Sequence, residues 1–121
     1  MADKKKIVAV DDNPENLGVL KTTLKDKYTV FPVPSATEMF GLLEHVSPSL
    51  ILLDVEMPEM NGYEAAQKLK GDDKLKTIPF IFLTSRDDEE SIKKGFDLGA
   101  VDYIPKPIVI QVLLERIEKH I

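Results

Sequence analysis

Apolar residues along this chain follow two patterns that take turns. Short apolar runs, Ile7-Val8-Ala9-Val10, Leu50-Ile51-Leu52-Leu53 and Ile78-Pro79-Phe80-Ile81-Phe82-Leu83, are separated by stretches whose apolar positions recur every three or four residues. A run this short and this apolar reads as a strand buried on both faces, and the spaced pattern reads as a helix with one buried stripe. Tyr28-Thr29-Val30-Phe31-Pro32-Val33 and Val101-Asp102-Tyr103-Ile104 add two further strands. Pro32 puts the first of these near a sheet edge or a strand end, because proline cannot donate to the ladder.

The spaced stretches carry helix signals of their own. Asn13 is a good N-cap and Pro14 a good first residue for a helix reaching about Asp26, with Leu17, Leu20 and Leu24 on one face. Ser35 and Glu38 have capping-box spacing, followed by Met39, Phe40 and Leu43 as a core face. Asn61-Gly62 leads into a third helix through Tyr63, Ala65, Ala66 and Leu69, stopped by Gly71. The acidic run Asp87-Asp88-Glu89-Glu90 opens a fourth, with Ile92, Phe96 and Leu98 toward the core and Gly99 closing it. A last helix starts near Ile108. Strand and helix thus alternate five times, which predicts an α/β fold: a doubly wound, five-stranded parallel sheet, (βα)5, with helices on both faces.

Composition narrows the function classes. A chain of 121 residues predicts one domain, 1–121, with 1–5 as a flexible basic tail. The formal charge of -5 comes from acids and bases spread along the chain, which argues against direct nucleic acid binding or an anionic membrane surface. Cysteine is absent, so there are no disulfides or thiolate metal sites, in keeping with a cytoplasmic location. The basic start is followed by no apolar segment long enough for a signal peptide or membrane span.

The chemistry gathers where the strands end. Asp54 closes the apolar run that starts at Leu50, Asp11-Asp12 follow the first strand, Thr84-Ser85 the fourth, and Lys106 sits between two prolines after the fifth. Taken alone, Asp54 could simply cap the next loop, and a hydroxyl such as Thr84 is common at a strand end. In a doubly wound sheet, however, the loops after the strands share one rim, so three carboxylates, a hydroxyl and an ammonium converge. Carboxylates so crowded repel unless a cation is present, and hard oxygen ligands suit Mg2+ or Mn2+. A carboxylate beside such a cation, a lysine and a hydroxyl is equipped for phosphoryl transfer, with Asp54 as nucleophile and Lys106 and Thr84 on the phosphoryl oxygens. Glycine-rich phosphate cradling after the first strand is excluded by Asp11-Asp12, which would repel a phosphate.

These residues together resemble the receiver domains of two-component response regulators over essentially the whole chain. The motifs are Asp11-Asp12, the stretch from Leu52-Leu53-Asp54 to Met60-Asn61-Gly62, Thr84-Ser85, and Tyr103-Ile104-Pro105-Lys106-Pro107. The resemblance implies a flavodoxin-like, CheY-like fold and a signalling switch whose own chemistry is confined to self-phosphorylation and dephosphorylation. It implies that Asp54 accepts a phosphoryl group from a phosphohistidine on a histidine kinase or histidine phosphotransfer protein. Asp12, Asp54 and the backbone carbonyl of Glu56 would hold Mg2+, with Asp11 acting mainly through a metal-bound water. Thr84 and Lys106 would bind phosphoryl oxygens, and Lys106-Pro107 would be a cis peptide. Thr84 would move toward the phosphoryl group and Tyr103 would turn inward, reshaping the face of the fourth helix, last strand and last helix for a downstream protein or output domain. The apolar last helix adds self-association as a homodimer to that expectation.

Glu56 and Arg86 stand two residues after Asp54 and Thr84, where receivers vary, and are expected to pair over the site and set the phosphoryl lifetime. Two other classes remain. An aspartate-nucleophile phosphatase of the haloacid dehalogenase type would use Glu56 as its second acid, and a pseudo-receiver would bind partners without phosphorylation. His45 and His120 read as surface residues, and Met57 and Met60 as loop packing.

Overall fold

The computed structural model describes residues 4–121. Ten elements alternate along them: β1 Lys5–Val10, α1 Pro14–Leu24, β2 Tyr28–Val33, α2 Ala36–Leu43, β3 Leu50–Asp54, α3 Gly62–Lys70, β4 Phe80–Thr84, α4 Glu89–Asp97, β5 Asp102–Pro105 and α5 Ile110–His120. All strand pairs are parallel, in the order β2-β1-β3-β4-β5. This is the doubly wound (βα)5 sheet expected from the alternation, with Pro32 on an edge strand. Of the expected basic tail, residues 1–3 lie outside the described residues, and Lys5 already belongs to β1.

Two cores form because successive side chains of a strand leave on opposite faces. Ile7, Ala9, Leu50, Leu52, Ile81 and Leu83 face Leu20 and Leu24 of α1 and Leu113 and Ile117 of α5. Val8, Val10, Ile51, Leu53, Phe80 and Phe82 face Met39 and Leu43 of α2 and Ala65, Ala66 and Leu69 of α3. Burying one such aliphatic side chain contributes about 1.5–3 kcal/mol, so β3 and β4, each with all five residues buried, are firmly held strands.

Helix ends largely follow their signals. Asn13 accepts from the Glu15 N–H at 2.8 Å, and Asp88 from the Ser91 N–H at 3.0 Å. Ser35 accepts from the Glu38 N–H at 3.1 Å, but Glu38 does not reach back to the Ser35 backbone, so that box is half formed. The complete box stands at α3, where Asn61 and Glu64 exchange bonds of 2.9 and 3.1 Å. Helix α5 begins at Ile110 rather than Ile108, because the backbone is still extended at Val109, its N-cap. Phe96, expected in the core, is 45 % exposed; α4 instead buries Gly95, where a Cβ would come within 3.1 Å of Phe82.

Gly62 ties α3 to the end of β3. A Cβ there would collide with the Asp54 carbonyl oxygen and stand 2.8 Å from Val55 Cα, while the Gly62 N–H donates to Val55 O at 2.8 Å. Gly41, inside α2, has nothing within 4 Å of a Cβ. Urea unfolding should therefore separate the two. Gly41→Ala is expected to gain about 0.5–1 kcal/mol, because alanine loses less backbone entropy in a helix, and Gly62→Ala to lose about 1–3 kcal/mol through overpacking.

Candidate functional site

The strand order places β1 between β2 and β3, so the direction in which successive strands are added to the sheet reverses at the β1–β3 boundary, and an open α/β sheet has its crevice outside the carboxyl ends of those strands. Asp11 and Asp12 follow β1 there and Asp54 ends β3. Each offers a carboxylate oxygen, and these oxygens all lie within 4.8 Å of one another. Thr84 ends β4 beside them, and Lys106 directly follows β5 and precedes a cis Lys106–Pro107 bond. The five residues singled out at the strand ends are thus brought to one rim.

Asp11 and Asp54 are both buried, at 0 % and 1 % exposure, whereas Asp12 is exposed. The Lys106 ammonium reaches both buried acids, 2.8 Å from Asp54 Oδ1 and 3.0 Å from Asp11 Oδ2. Asp11 has further support, accepting from the Asn13 N–H at 2.9 Å and from Asn16 Nδ2 at 3.1 Å. Asp54 Oδ2 has no hydrogen-bond partner among the described residues.

That asymmetry is visible in the protonation balance. Burial pushes the Asp54 carboxyl up to about 6; the bond from Lys106 works against the rise, and the Asp11 and Asp12 charges add to it. Burial disfavours the Lys106 ammonium, but its bonds to Asp54 and Asp11 outweigh that and hold it above its ordinary value. One lysine shared by two carboxylates leaves negative charge over. A buried, unbonded carboxylate oxygen is costly, and a hard cation among these three acids would offset it. The donor set therefore fits the divalent ion expected from the sequence.

Glu56 and Arg86 meet at the mouth of the site, with Arg86 Nε 2.7 Å from Glu56 Oε1 and both side chains about half exposed. Arg86 also donates its backbone N–H to Thr84 Oγ1 at 2.9 Å. Away from the rim, the Tyr103 ring meets Phe96 edge to face at 6.4 Å between centroids, and the Arg116 guanidinium lies 5.2 Å from its centre.

His120 is not the surface residue expected. Its Nε2 lies 2.9 Å from Asp102 Oδ2, and Arg116 reaches Asp102 Oδ1 at 3.1 Å and also donates to the Tyr103 carbonyl. Burial opposes the Asp102 charge, yet the bonds from His120, the Tyr103 N–H and Arg116 hold its carboxyl below the usual range. Sequence reasoning missed this cluster because its members, 14 and 18 residues apart, belong to no motif. It missed also Glu59, which adopts a left-handed φ of 67° in the loop after Asp54.

The chain is similar to known proteins over most of its length. Residues 7–118 match the model of the response regulator receiver domain. The chain is 37 % identical over 115 residues to a probable cyclic di-GMP phosphodiesterase of Vibrio cholerae, covering 95 % of this chain but only 26 % of that protein. It is 32 % identical over 121 residues to the polar-differentiation response regulator DivK of Brucella anthropi, covering 97 % of this chain and 96 % of that one. The crystal structure of the Vibrio cholerae chemotaxis protein CheY4 superposes with a TM-score of 0.92 at 26 % identity, over 98 % of this chain and 99 % of the other.

A carboxyl whose folded pKa lies above its unfolded value of 3.8 binds more protons in the folded state, so stability falls as pH rises from about 4 to about 6 and the cost is complete above that. In metal-free buffer at neutral pH, Asp54→Asn should therefore raise the unfolding free energy by about 1–3 kcal/mol. The gain should vanish as pH falls below about 4, and Mg2+ should narrow it by stabilising the wild type alone. Equal stability of the two proteins in metal-free neutral buffer would contradict this account of the buried carboxylate.

Proposed function

The chain belongs to the response regulator receiver domain family, and from that premise we propose that Asp54 accepts the phosphoryl group through which this two-component signalling module is switched. The observation that carries the assignment is the buried Asp54 carboxylate itself, one oxygen held by Lys106 at 2.8 Å and the other without a hydrogen-bond partner. A carboxylate oriented through one oxygen keeps the other for bonding to phosphorus. The donor is a phosphohistidine on a histidine kinase or histidine phosphotransfer protein. In the transfer the Asp54 O–P bond forms as the P–N bond breaks, and the imidazole leaves with the electron pair and takes up a proton.

Asp12, Asp54 and the Glu56 carbonyl are the proposed holders of Mg2+, with Asp11 behind them. The ion supplies charge neutralisation for the acids and the incoming phosphoryl oxygens. Lys106 exchanges part of its contact with Asp54 for a phosphoryl oxygen, and Thr84 donates its hydroxyl to another. Motion of Thr84 leaves space beneath α4, where a small cavity is lined by Phe82, Thr84, Gly95 and Tyr103. Inward rotation of Tyr103 would take its ring from Phe96 and Arg116 and so alter the face of α4, β5 and α5 that a downstream protein, an output domain or a second copy would contact. Val109, the N-cap of α5, and Ile110, its first residue, at 55 % and 52 % exposure, leave apolar surface uncovered where that helix starts.

The phosphatase reading is less well supported, since it needs Glu56 as a free acid and Glu56 is ion-paired to Arg86. All three acids and the lysine are present, which weighs against a pseudo-receiver. No helix among the described residues is long and apolar enough to cross a membrane.

Incubation with Mg2+ and acetyl phosphate should add about 80 Da, one phosphoryl group, to the wild type and nothing to Asp54→Asn. Failure to label with any small donor or phosphohistidine protein would remove the reading. The Glu56–Arg86 pair shields the phosphoryl group from water, so Glu56→Ala and Arg86→Ala should each lose the label several-fold faster than wild type in a decay time course.

A further inference from the structure

The pair at the mouth of the site is joined to a second contact that a simple cover does not need. Arg86 holds Glu56 with its side chain, at 2.7 Å, and Thr84 Oγ1 with its own backbone N–H, at 2.9 Å. The Thr84 backbone is fixed independently, because its carbonyl accepts from the Lys106 N–H at 2.9 Å and Thr84 pairs with Pro105 in the sheet. With the strand anchored, the Thr84 hydroxyl can reach a phosphoryl group on Asp54 in two ways. It can rotate away and leave the Arg86 N–H without its partner, or it can carry the loop after β4 along.

Each route meets resistance. Stranding a part-buried N–H carries a desolvation cost unless the loop shifts to hydrate it. A shift of the loop is opposed by Glu56, which grips Arg86 from the separate loop after β3. From this juxtaposition we infer that Glu56 is a positioning residue for Thr84, acting through Arg86: the ion pair holds the loop after β4 where the Arg86 N–H donates to Thr84 Oγ1 and fixes where that oxygen stands. The inference rests on the reading of Thr84 as a phosphoryl ligand and adds a role distinct from shielding. A shield changes only how fast the phosphoryl group is lost. A positioning pair changes where Thr84 stands before any phosphoryl group arrives.

The energetics set the scale. A hydroxyl bond to a charged phosphoryl oxygen is roughly twice as strong as one to a neutral backbone group, so phosphorylation still wins over the tether. An exposed ion pair is weak and screened by salt. Glu56 therefore sets the resting ratio of the two Thr84 positions and leaves the phosphorylated end point unchanged.

The test follows the Thr84 methyl resonance in the full chain, with beryllofluoride and Mg2+ as the phosphoryl mimic. Before any mimic is added, Glu56→Gln and Arg86→Ala should shift that resonance part of the way toward its beryllofluoride-bound position. Both should bind beryllofluoride about two- to fivefold more tightly, the range open to an exposed pair. Added NaCl should move the wild type in the same direction and leave both variants unmoved. Both side chains are about half exposed, so neither variant threatens the fold. A Thr84 resonance at the wild-type position in both variants, or a salt response that survives in them, overturns the inference. If Thr84 ignores saturating beryllofluoride while Asp54 still takes the mass adduct, the positioning role falls and the acceptor assignment stands. Absence of the adduct brings down the assignment itself.

Discussion

One ammonium serves two buried carboxylates, and the behaviour of the site follows from that shortage of positive charge. Lys106 lies within 3.0 Å of both Asp11 and Asp54, which are almost completely out of water. Burial is the main cause that raises the Asp54 pKa, and the neighbouring acid charges that one cation cannot balance add to it. Such a site is unfavourable as it stands and is relieved by a divalent cation or a proton. The fold tolerates the strain because the carboxylate ends a strand whose five residues are all buried and which pairs on both sides, with β1 and β4.

The same anchoring sets which parts of the structure around Asp54 are firm and which are loose. β3 and the start of α3 are locked together by Gly62, which lies against the peptide of Asp54 too closely for any side chain. The opposite side is looser. α4 buries only Gly95, and Phe96 and Tyr103 pack edge to face in the open. Thr84 stands between these regions, at the end of a firm strand and the start of a loop tied down by one backbone bond and one exposed ion pair. The packing is thus tight on the α3 side of Asp54 and loose on the α4 side, the side on which the proposed switch would move.

Much of this was legible in the order of residues. The acids, Thr84 and Lys106 were readable because parallel strands deliver their carboxyl ends to one rim, so a residue's position within its run fixes its place in the site. Glu56 and Arg86 were readable as a pair for the same reason, each standing two residues past a strand-end ligand. Phe96 was misplaced because α4 exploits Gly95 to approach Phe82, and a glycine carries no hydropathy signal to mark the buried side of a helix. His120 reads as a surface residue in the sequence because its partner Asp102 lies 18 residues away, on β5. The expected box at Ser35 formed by half, while the Asn61–Glu64 box was complete, since the loop geometry before each helix decides whether the second bond can close.

Sequence alone determined the alternation of strand and helix, the two-faced burial of the sheet and the residues brought to its carboxyl rim, because these depend on hydrophobic period and on chain direction. It determined also that an excess of acid would collect there. Tertiary structure decided how that acid is divided: which oxygens Lys106 takes, that Asp54 Oδ2 is left without a hydrogen bond, and that Arg86 joins Glu56 to Thr84. Those outcomes depend on angles and on distances of a few ångströms between groups that no local pattern relates, so they exist only once the chain has packed.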